Sequence, residues 1–276
     1  MFSKLRSLIF KFDPETAHTL AIKALKLNYV PNFPVNLENE SLLNNELFGK
    51  KINNPIGIAA GFDKDAEVYN ALFKLNFGFV EVGTATPQGQ YGNSKPRVFR
   101  LEEDNALINR LGFNNDGCKD IRARILKNIP KGVLGINIGP NKETEDRLND
   151  YLIGLKSFYD IADYLTINIS SPNTENLRNF HKEEKLDELL KNIEAEKKRL
   201  KSTIPLAVKI SPDINDSQIE EISETISKYD IKALIVSNTS DSNRSTLKSL
   251  NKHQKGGLSG KPLEKISNSL INKFYK

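Results

Sequence analysis

The sequence predicts an α/β fold, a TIM (β/α)8-type barrel that is incomplete here, with about six βα units and an N-terminal helical extension. Two observations lead to this prediction. Short apolar runs alternate with longer amphipathic stretches from about residue 50 onward, which is typical of a parallel sheet covered by helices. Small or polar residues follow almost every apolar run, as they do where active sites form at the carboxyl ends of barrel strands.

Each element is predicted from its own pattern. Strands are expected at residues 56–60, 79–84, 133–139, 164–169, 206–210 and 233–237, and helices at 65–75, 118–128, 145–162, 186–200 and 216–228. Residues 47–52 predict a hairpin that plugs the bottom of the barrel, and residues 262–276 begin the sixth helix. A closed barrel needs two more units, roughly 60 residues at about 30 per unit. Because an open sheet would leave an unprotected edge, we expect the chain to be a fragment of a longer protein.

Residues 1–35 are predicted to form an amphipathic helical region, and residues 36–276 the barrel. Apolar residues recur at helical spacing within residues 2–12, with basic residues around them. Asp13 is placed to cap a second helix that has Pro14 at its first position. The two helices either pack on the barrel or lay an apolar face on a lipid surface, and the sequence favours neither reading.

Composition excludes several classes of function. The net charge of +5 is modest and spread along the chain, so we expect no nucleic-acid partner. One cysteine, Cys118, and three scattered histidines argue against an internal disulfide and against a metal centre. No apolar run approaches the roughly 18–20 residues of a membrane span, and the N-terminus lacks a signal-peptide core. We therefore expect the protein in the cytoplasm or on a membrane surface.

The run Asn-Ile-Ser-Ser-Pro-Asn at residues 168–173 is the most informative segment. It places two amides and two hydroxyls at the end of a predicted strand, where amides suit a flat, uncharged ring and a hydroxyl can move a proton. Lys209 lies inside another apolar strand, which costs several kcal/mol unless an anion meets it. Ala60 and Gly61 would let a flat cofactor approach the backbone.

Other segments allow two readings. Lys64 either pairs with a carboxylate or is a solvated lysine at a helix start. The excursion at residues 87–115 is long enough to be functional or disordered, and its aromatic content favours function. The glycine run at residues 256–260 resembles a phosphate cradle loosely, and a flexible turn explains it equally well.

Eight motifs taken together resemble the flavin-dependent dihydroorotate dehydrogenases, most closely their quinone-dependent, membrane-associated branch (class 2). They are AAGFDKD (59–65), GTATP (83–87), KPRVFRL (95–101), NRLGFNN (109–115), GINIG (135–139), NISSPNTENLR (168–178), SNTS (237–240) and GGLSGKPL (256–263). Each motif alone is weak, but their shared order and spacing across nearly the whole chain are highly specific.

The resemblance implies an enzyme that oxidises dihydroorotate to orotate in pyrimidine biosynthesis, on a TIM barrel that holds FMN. A base takes a proton from C5 while a hydride leaves C6 for the flavin, and a membrane quinone is the final acceptor. Ser171 matches the base of the quinone branch, whereas the soluble branch has a cysteine there. Cys118 lies in a different segment and is expected to be structural. A serine hydroxyl is a poor base near neutral pH, so Ser171 would need a dry site and a proton relay.

The resemblance also assigns binding residues. The substrate is expected at Lys64, Asn109, Arg110, Leu111, Gly112, Phe113, Asn168, Asn173, Asn238 and Thr239. FMN is expected at Ala60, Gly61, Phe62, Asp63, Lys64, Thr84, Asn137, Asn168, Lys209, Ser237 and Gly260. His18 and Arg100 match positions that line the quinone tunnel. Relatives continue through two more glycine-ended strands that hold the FMN phosphate, so we expect this chain, expressed as written, to bind FMN poorly.

Two alternatives stay open. The first is a soluble-branch enzyme that passes electrons to fumarate or NAD, against which Ser171 and the N-terminal extension argue. The second is a non-catalytic, truncated barrel at the membrane surface, against which the intact set of substrate residues argues. The leading reading places a monomer peripherally on the cytoplasmic side of a cell inner membrane.

Overall fold

The computed structural model describes residues 6, 9–27, 40–242 and 244–275. In chain order the elements are α1 (Pro14–Lys26), α2 (Glu40–Leu43), β1 (Asn45–Leu47), β2 (Lys50–Ile52), α3 (Tyr69–Lys74), β3 (Phe79–Ala85), β4 (Val98–Leu101), β5 (Ala106–Asn109), α4 (Cys118–Lys127), β6 (Val133–Ile138), α5 (Arg147–Phe158), β7 (Tyr164–Asn168), α6 (Glu183–Arg199), β8 (Leu206–Lys209), α7 (Asp216–Ser227), β9 (Ala233–Ile235), β10 (Gly257–Gly260) and α8 (Glu264–Tyr275). Short 3-10 turns cover Glu102–Asp104, Leu177–His181, Leu250–His253 and Lys261–Leu263.

The central sheet is parallel, with strand order β3-β6-β7-β8-β9. Helices α3 to α8 alternate with these strands and contribute large buried side chains, among them Tyr69, Tyr151 and Phe158. The predicted α/β alternation and TIM-barrel-like architecture are therefore confirmed. Helices α4 to α7 match the prediction with ends that differ by up to four residues. Closure of the sheet into a ring is not seen among the described residues.

The strand predicted at residues 56–60 is wrong. The segment runs beside β3, but a single parallel bridge joins Ile58 to Val80. The Ile58 N–H donates to the Phe79 carbonyl (3.0 Å). At Gly61, whose φ is 109°, the chain turns away from the sheet. A glycine with positive φ directly after two alanines ends the extended backbone before a strand can form.

The helix predicted at residues 65–75 is shorter than expected and begins at Tyr69. Ala66 has a φ of 54°, in the left-handed region, which interrupts any helix that includes it. The buried Asp63 carboxylate accepts hydrogen bonds from the backbone N–H groups of Glu67 (2.7 Å) and Val68 (2.8 Å). These bonds stabilise a turn where the periodicity predicted a helix.

The predicted hairpin is confirmed and packs against the amino ends of the central strands. Strands β1 and β2 pair antiparallel around Phe48 and Gly49, both of which have positive φ. The Phe48 ring lies 5.1 Å from that of Tyr164, the first residue of β7. The hairpin therefore closes the end of the sheet that lies away from the active-site edge, as predicted.

A three-stranded antiparallel sheet, order β10-β5-β4, was not predicted. Strands β4 and β5 come from the long excursion at residues 87–115, which is thus ordered. Strand β10 comes from the glycine run at residues 256–260. The glycine run is therefore an ordered strand and not a flexible turn. A small core of Leu101, Ile108, Leu247 and Leu258 stabilises this sheet.

Helix α1 has the predicted cap, because Asp13 Oδ1 accepts from the N–H groups of Glu15 (3.0 Å) and Thr16 (2.9 Å). The helix packs on α3 and β4, while Phe12 and Leu20 remain 45% and 46% exposed. One side thus contacts the fold and another presents apolar surface. The first helix predicted within residues 1–35 lies mainly outside the described residues. No helix in the described part of the chain is long and apolar enough to cross a membrane.

Candidate active site

A cavity of about 380 Å³ lies where the carboxyl ends of the parallel strands meet the antiparallel sheet. It is lined by Ala59, Ala60, Gly61, Lys64, Gly83, Thr84, Asn109, Leu111, Gly112, Phe113, Asn114, Asn168, Ser171, Asn173, Lys209, Ser237, Asn238, Thr239, Ser259 and Leu263. The lining thus gathers residues from segments that are far apart in the sequence. We call it the central cavity.

Most of the residues predicted for the site therefore share one space, but five do not line it. Asn137 is fully buried one layer below, and Gly260 lies just past the cavity at the end of β10. Phe62 and Asp63 face a second cavity, where the Asp63 carboxylate holds the turn before α3. The Arg110 guanidinium points elsewhere, since it donates to the Gln254 side chain (3.0 Å) and the Pro96 carbonyl (2.9 Å).

A network of buried amides and hydroxyls forms the floor of the central cavity. Asn137 Oδ1 accepts from Thr84 Oγ1 (2.7 Å) and from Asn168 Nδ2 (3.1 Å). Asn137 Nδ2 in turn donates to the buried carboxylate of Glu81 (2.9 Å). Tyr164 OH (3.1 Å) and Thr166 Oγ1 (2.7 Å) donate to the same carboxylate. The network fixes the orientation of the Asn168 amide at the cavity surface.

Two adjacent serines follow β7, and they have different roles. Ser170 Oγ donates to Asn168 Oδ1 (2.9 Å) and accepts from Asn238 Nδ2 (2.9 Å), so it joins two cavity residues from below. Ser171 is buried but lines the cavity, and its Oγ accepts from the Asn173 N–H (3.2 Å). A hydrogen-bond donor at that oxygen stabilises any negative charge that develops there.

The central cavity has two lysines in different surroundings. Lys209, on β8, is buried, and within the described part of the chain its ammonium has no hydrogen bond or ion pair. Lys64 donates to the Gly61 carbonyl (2.6 Å), and burial lowers its pKa. Since a buried, unpaired cation is costly, Lys209 is suited to hold an anionic or electron-rich ligand.

The surface beside Lys209 fits a flat cofactor. A side chain at Gly61 would meet no heavy atom within 4 Å, so the cavity is open above this backbone. The unpaired Lys209 ammonium and the amide of Asn168 line the same space. Residues with these properties could hold the polar ring of a flavin.

A second cavity, of about 410 Å³, lies under α1, and we call it the outer cavity. His18 and Arg100, the residues predicted for a quinone tunnel, both line it. Burial lowers the pKa of His18 to about 4, with Lys64 adding to the effect, so the imidazole is neutral near pH 7. Arg100 donates to the Phe12 carbonyl (2.8 Å), just before α1.

The two cavities share part of their walls, namely Gly61, Lys64, Leu111 and Asn114. Asn114 was not predicted as a site residue, and its buried Oδ1 has no hydrogen-bond partner in the described structure. Glu81 and Ser170 were also missed. Glu81 carried a signal, because a carboxylate inside an apolar strand needs donors just as Lys209 needs an anion.

An ion pair fixes α1 over the outer cavity. The buried Arg97 guanidinium donates to both carboxylate oxygens of Glu15, the shortest contact being 2.6 Å. Burial alone would raise the pKa of Glu15, but Arg97 and Lys95 more than offset it and hold the pKa below its usual value. Arg97 also donates to the carbonyls of Tyr91 (2.6 Å) and Asn93 (2.9 Å). Helix α1 is therefore joined to the loop that borders the central cavity.

Cys118 is buried at the start of α4 and lines neither cavity. Burial raises the pKa of its thiol to about 12, so the sulfur is a protonated, unreactive core group at neutral pH. The soluble-branch base is therefore not supplied by this residue.

Comparisons with known proteins agree with this geometry. A family model described as dihydroorotate dehydrogenase matches residues 42–276. A dihydroorotate dehydrogenase (quinone) from Bartonella tribocorum is 46% identical over 98% of this chain and 75% of its own length. A protein with the same description from Actinobacillus pleuropneumoniae is 43% identical over the whole of this chain and 84% of its own.

A solved structure of DHODH from Eimeria tenella in complex with ferulenol superposes with a TM-score of 0.90 at 36% identity. The superposition covers 95% of this chain and 76% of the Eimeria tenella chain. The family match, the relatives' identity and the shared fold lead to one conclusion. This chain belongs to the dihydroorotate dehydrogenase family.

Proposed function

We propose that this chain oxidises dihydroorotate to orotate in pyrimidine biosynthesis, with FMN in the central cavity and a quinone as the electron acceptor. The observation that carries the proposal is the convergence of Lys64, Asn109, Ser171 and Asn238 on that one cavity. The relatives described as dihydroorotate dehydrogenase (quinone), which match nearly the whole chain, support the same reaction.

The amides of the central cavity suit the substrate ring. Asn173 Nδ2 donates to Asn109 Oδ1 (3.3 Å), which sets these two amides side by side. Asn168 and Asn238 add donors and acceptors on the strand side. A pyrimidine with several N–H and C=O groups satisfies such a wall, and a ring without them would leave buried amides unpaired. Lys64 would meet the substrate carboxylate, an anion that favours its charged form.

Ser171 is the proposed base that removes the C5 proton. Its oxygen is shielded from water and accepts one backbone N–H, which would stabilise the negative charge that the oxygen carries as its own proton leaves. As Oγ takes the C5 proton, the proton that the hydroxyl carried has to pass to another acceptor, so the reaction also needs a proton relay beside Ser171.

FMN is the proposed cofactor, with Ala60, Gly61 and Lys209 beside its ring. When bound, it supplies a two-electron acceptor for the hydride that leaves C6. The Lys209 ammonium would stabilise negative charge on the reduced ring, which gives this buried lysine a partner. The cofactor residues Phe62, Asp63, Asn137 and Gly260 would act at most indirectly, since they lie outside the central cavity.

The outer cavity is the proposed quinone site. Neutral His18 and the apolar side chains around it suit an uncharged ring, and Arg100 offers a donor. The exposed Phe12 and Leu20 would rest on the lipid that supplies the quinone. We therefore propose a monomer bound peripherally to the cytoplasmic side of a cell inner membrane.

The test is anaerobic bleaching of the flavin absorbance by dihydroorotate, with FMN added in excess and the amount retained by the protein measured. Dihydroorotate should bleach the flavin of the unaltered chain, and Ser171→Ala should abolish the bleaching while flavin retention stays the same. Reoxidation by a short-chain quinone, but not by fumarate or NAD, should follow. Bleaching that survives Ser171→Ala would remove this serine from the mechanism, and flavin retention without any bleaching would favour a non-catalytic barrel.

A further inference from the structure

Arg178 lies in the 3-10 turn after β7 and lines neither cavity, yet it contacts the backbone beside two residues that line the central cavity. Its Nε donates to the Ser170 carbonyl (3.1 Å), and its Nη2 donates to the Thr239 carbonyl (3.0 Å). Ser170 directly precedes Ser171, and Thr239 directly follows Asn238. One guanidinium therefore joins the backbone beside the proposed base to the backbone beside the substrate amide of Asn238.

The remaining nitrogen of Arg178 binds a carboxylate pair. Nη1 donates to Asp213 Oδ2 (3.0 Å) and to Asp241 Oδ1 (2.8 Å). Asp213, which follows β8, also accepts from Ser242 Oγ (2.7 Å) and from the Asp241 N–H (2.9 Å). The loops after β7, β8 and β9 thus meet at one side chain. Asp213 is the better shielded partner, because Asp241 is largely exposed.

The turn that carries Arg178 is itself fixed. The His181 ring binds the Arg178 carbonyl through Nδ1 (3.0 Å) and accepts the Ser211 N–H at Nε2 (3.1 Å). These partners assign the proton to Nδ1. The backbone that carries the guanidinium is therefore held in place, and the fold sets the three directions in which the guanidinium donates.

We propose that Arg178 is a positioning residue that holds Ser171 and Asn238 at the correct separation on the strand side of the central cavity, where the Asn238 amide also donates to Ser170 Oγ (2.9 Å). The proposal rests on the proposed function, since it assigns Arg178 a part in the same reaction. Arginine suits this role because its planar fork donates in several fixed directions at once. Lysine keeps the charge that Asp213 needs but cannot hold both carbonyls and a carboxylate in one plane.

The experiment compares Arg178→Lys with Arg122→Lys. Arg122 also bonds a carboxylate and a backbone carbonyl, with two bonds to Asp160 (2.6 and 2.7 Å) and one to the Ser157 carbonyl (2.7 Å), but it lines neither cavity. With FMN in excess, Arg178→Lys should slow flavin reduction by dihydroorotate about 10- to 100-fold. It should also raise the deuterium isotope effect at C5 and leave kcat/KM for quinone unchanged. Arg122→Lys should change none of these rates.

A second measurement needs no flavin. Hydrogen exchange at the amides of residues 173 and 238–240 should quicken about 10-fold in Arg178→Lys and stay unchanged in Arg122→Lys. Asp213→Asn keeps both carbonyl bonds, so it should have a smaller effect on exchange and on flavin reduction. If Arg178→Lys does not fold, the Asp213→Asn variant replaces it in both measurements.

Unchanged exchange and unchanged flavin reduction in Arg178→Lys would overturn the proposal. So would equal losses in the Arg178 and Arg122 variants, because that result describes general destabilisation. If the unaltered chain retains flavin but dihydroorotate does not bleach it, the proposed function fails, while the exchange measurement still decides whether Arg178 orders the two loops.

Discussion

Two charged side chains lie inside apolar strands of the same sheet, and their surroundings differ completely. Glu81, on β3, is 3% exposed and accepts three hydrogen bonds from Asn137, Tyr164 and Thr166. Lys209, on β8, is 8% exposed and has no partner among the described residues. The difference teaches how to separate structure from function in a buried charge. A charge that the protein satisfies by itself supports the fold, and a charge left unpaired at a cavity supports a ligand.

The largest expected effect comes from Glu81→Gln. An amide in place of the carboxylate would weaken three charge-assisted hydrogen bonds and set one N–H against a donor. The free energy of unfolding should fall by about 3 kcal/mol. Urea denaturation of the apo protein measures it, with the exposed Glu184→Gln as the control. A loss below about 0.5 kcal/mol would show that Glu81 is not a structural charge.

The second effect concerns the unpaired charge. Lys209→Met removes an ammonium that stabilises nothing inside the protein, so the stability of the apo protein should hold or rise. Flavin affinity should fall about 30- to 100-fold, because the proposed ring loses its cationic neighbour. Fluorescence titration with FMN measures the affinity.

Lys197 provides the matched control, since it is also buried but is paired with Asp230 (3.1 Å). Lys197→Met should leave flavin affinity unchanged. Equal flavin affinity in the Lys209 and Lys197 variants would show that an unpaired buried charge at a cavity does not bind the ligand.

The third effect tests a buried group that is satisfied in its neutral form. Burial lowers the pKa of His181 to about 4, because the folded protein disfavours the imidazolium. The stability that His181 contributes is therefore complete above about pH 6.5 and is lost as the pH falls toward 4. Between pH 7 and pH 5 the loss should be about 2 kcal/mol.

The measurement is the difference between the unaltered protein and His181→Gln at each pH. The amide can still donate to the Arg178 carbonyl and accept from Ser211, but it gains no proton. Subtracting the two curves removes the opposing contribution of Asp63, whose pKa burial raises to about 6. If the free energy of unfolding depends on pH in the same way in the two proteins, the lowered pKa of His181 is contradicted.

The sequence predicted the parallel layer and the central cavity well, because both depend on local patterns. Apolar runs mark strands, and the residues at their ends converge by geometry. The antiparallel sheet was missed because its strands are four residues long and their pairing is remote. Ser259 pairs with Leu107, 152 positions earlier. No local period in the sequence encodes such a partner.

Two further misses have different causes. The argument that singled out Lys209 applies equally to Glu81, so that residue could have been found from its strand. Arg178 could not, because its partners include backbone carbonyls of Ser170 and Thr239, and every residue has a carbonyl. Only the folded chain shows which ones a guanidinium reaches.

Four residues, Gly61, Lys64, Leu111 and Asn114, line both the central and the outer cavity, so single residues separate the two cavities there. We expect one molecule in each cavity to bind at the same time, on opposite sides of these residues. A compound lodged under α1 should lower the maximal velocity without competing with dihydroorotate. An orotate analogue should compete with dihydroorotate and leave the maximal velocity unchanged. The two compounds together should act as independent inhibitors of one catalyst.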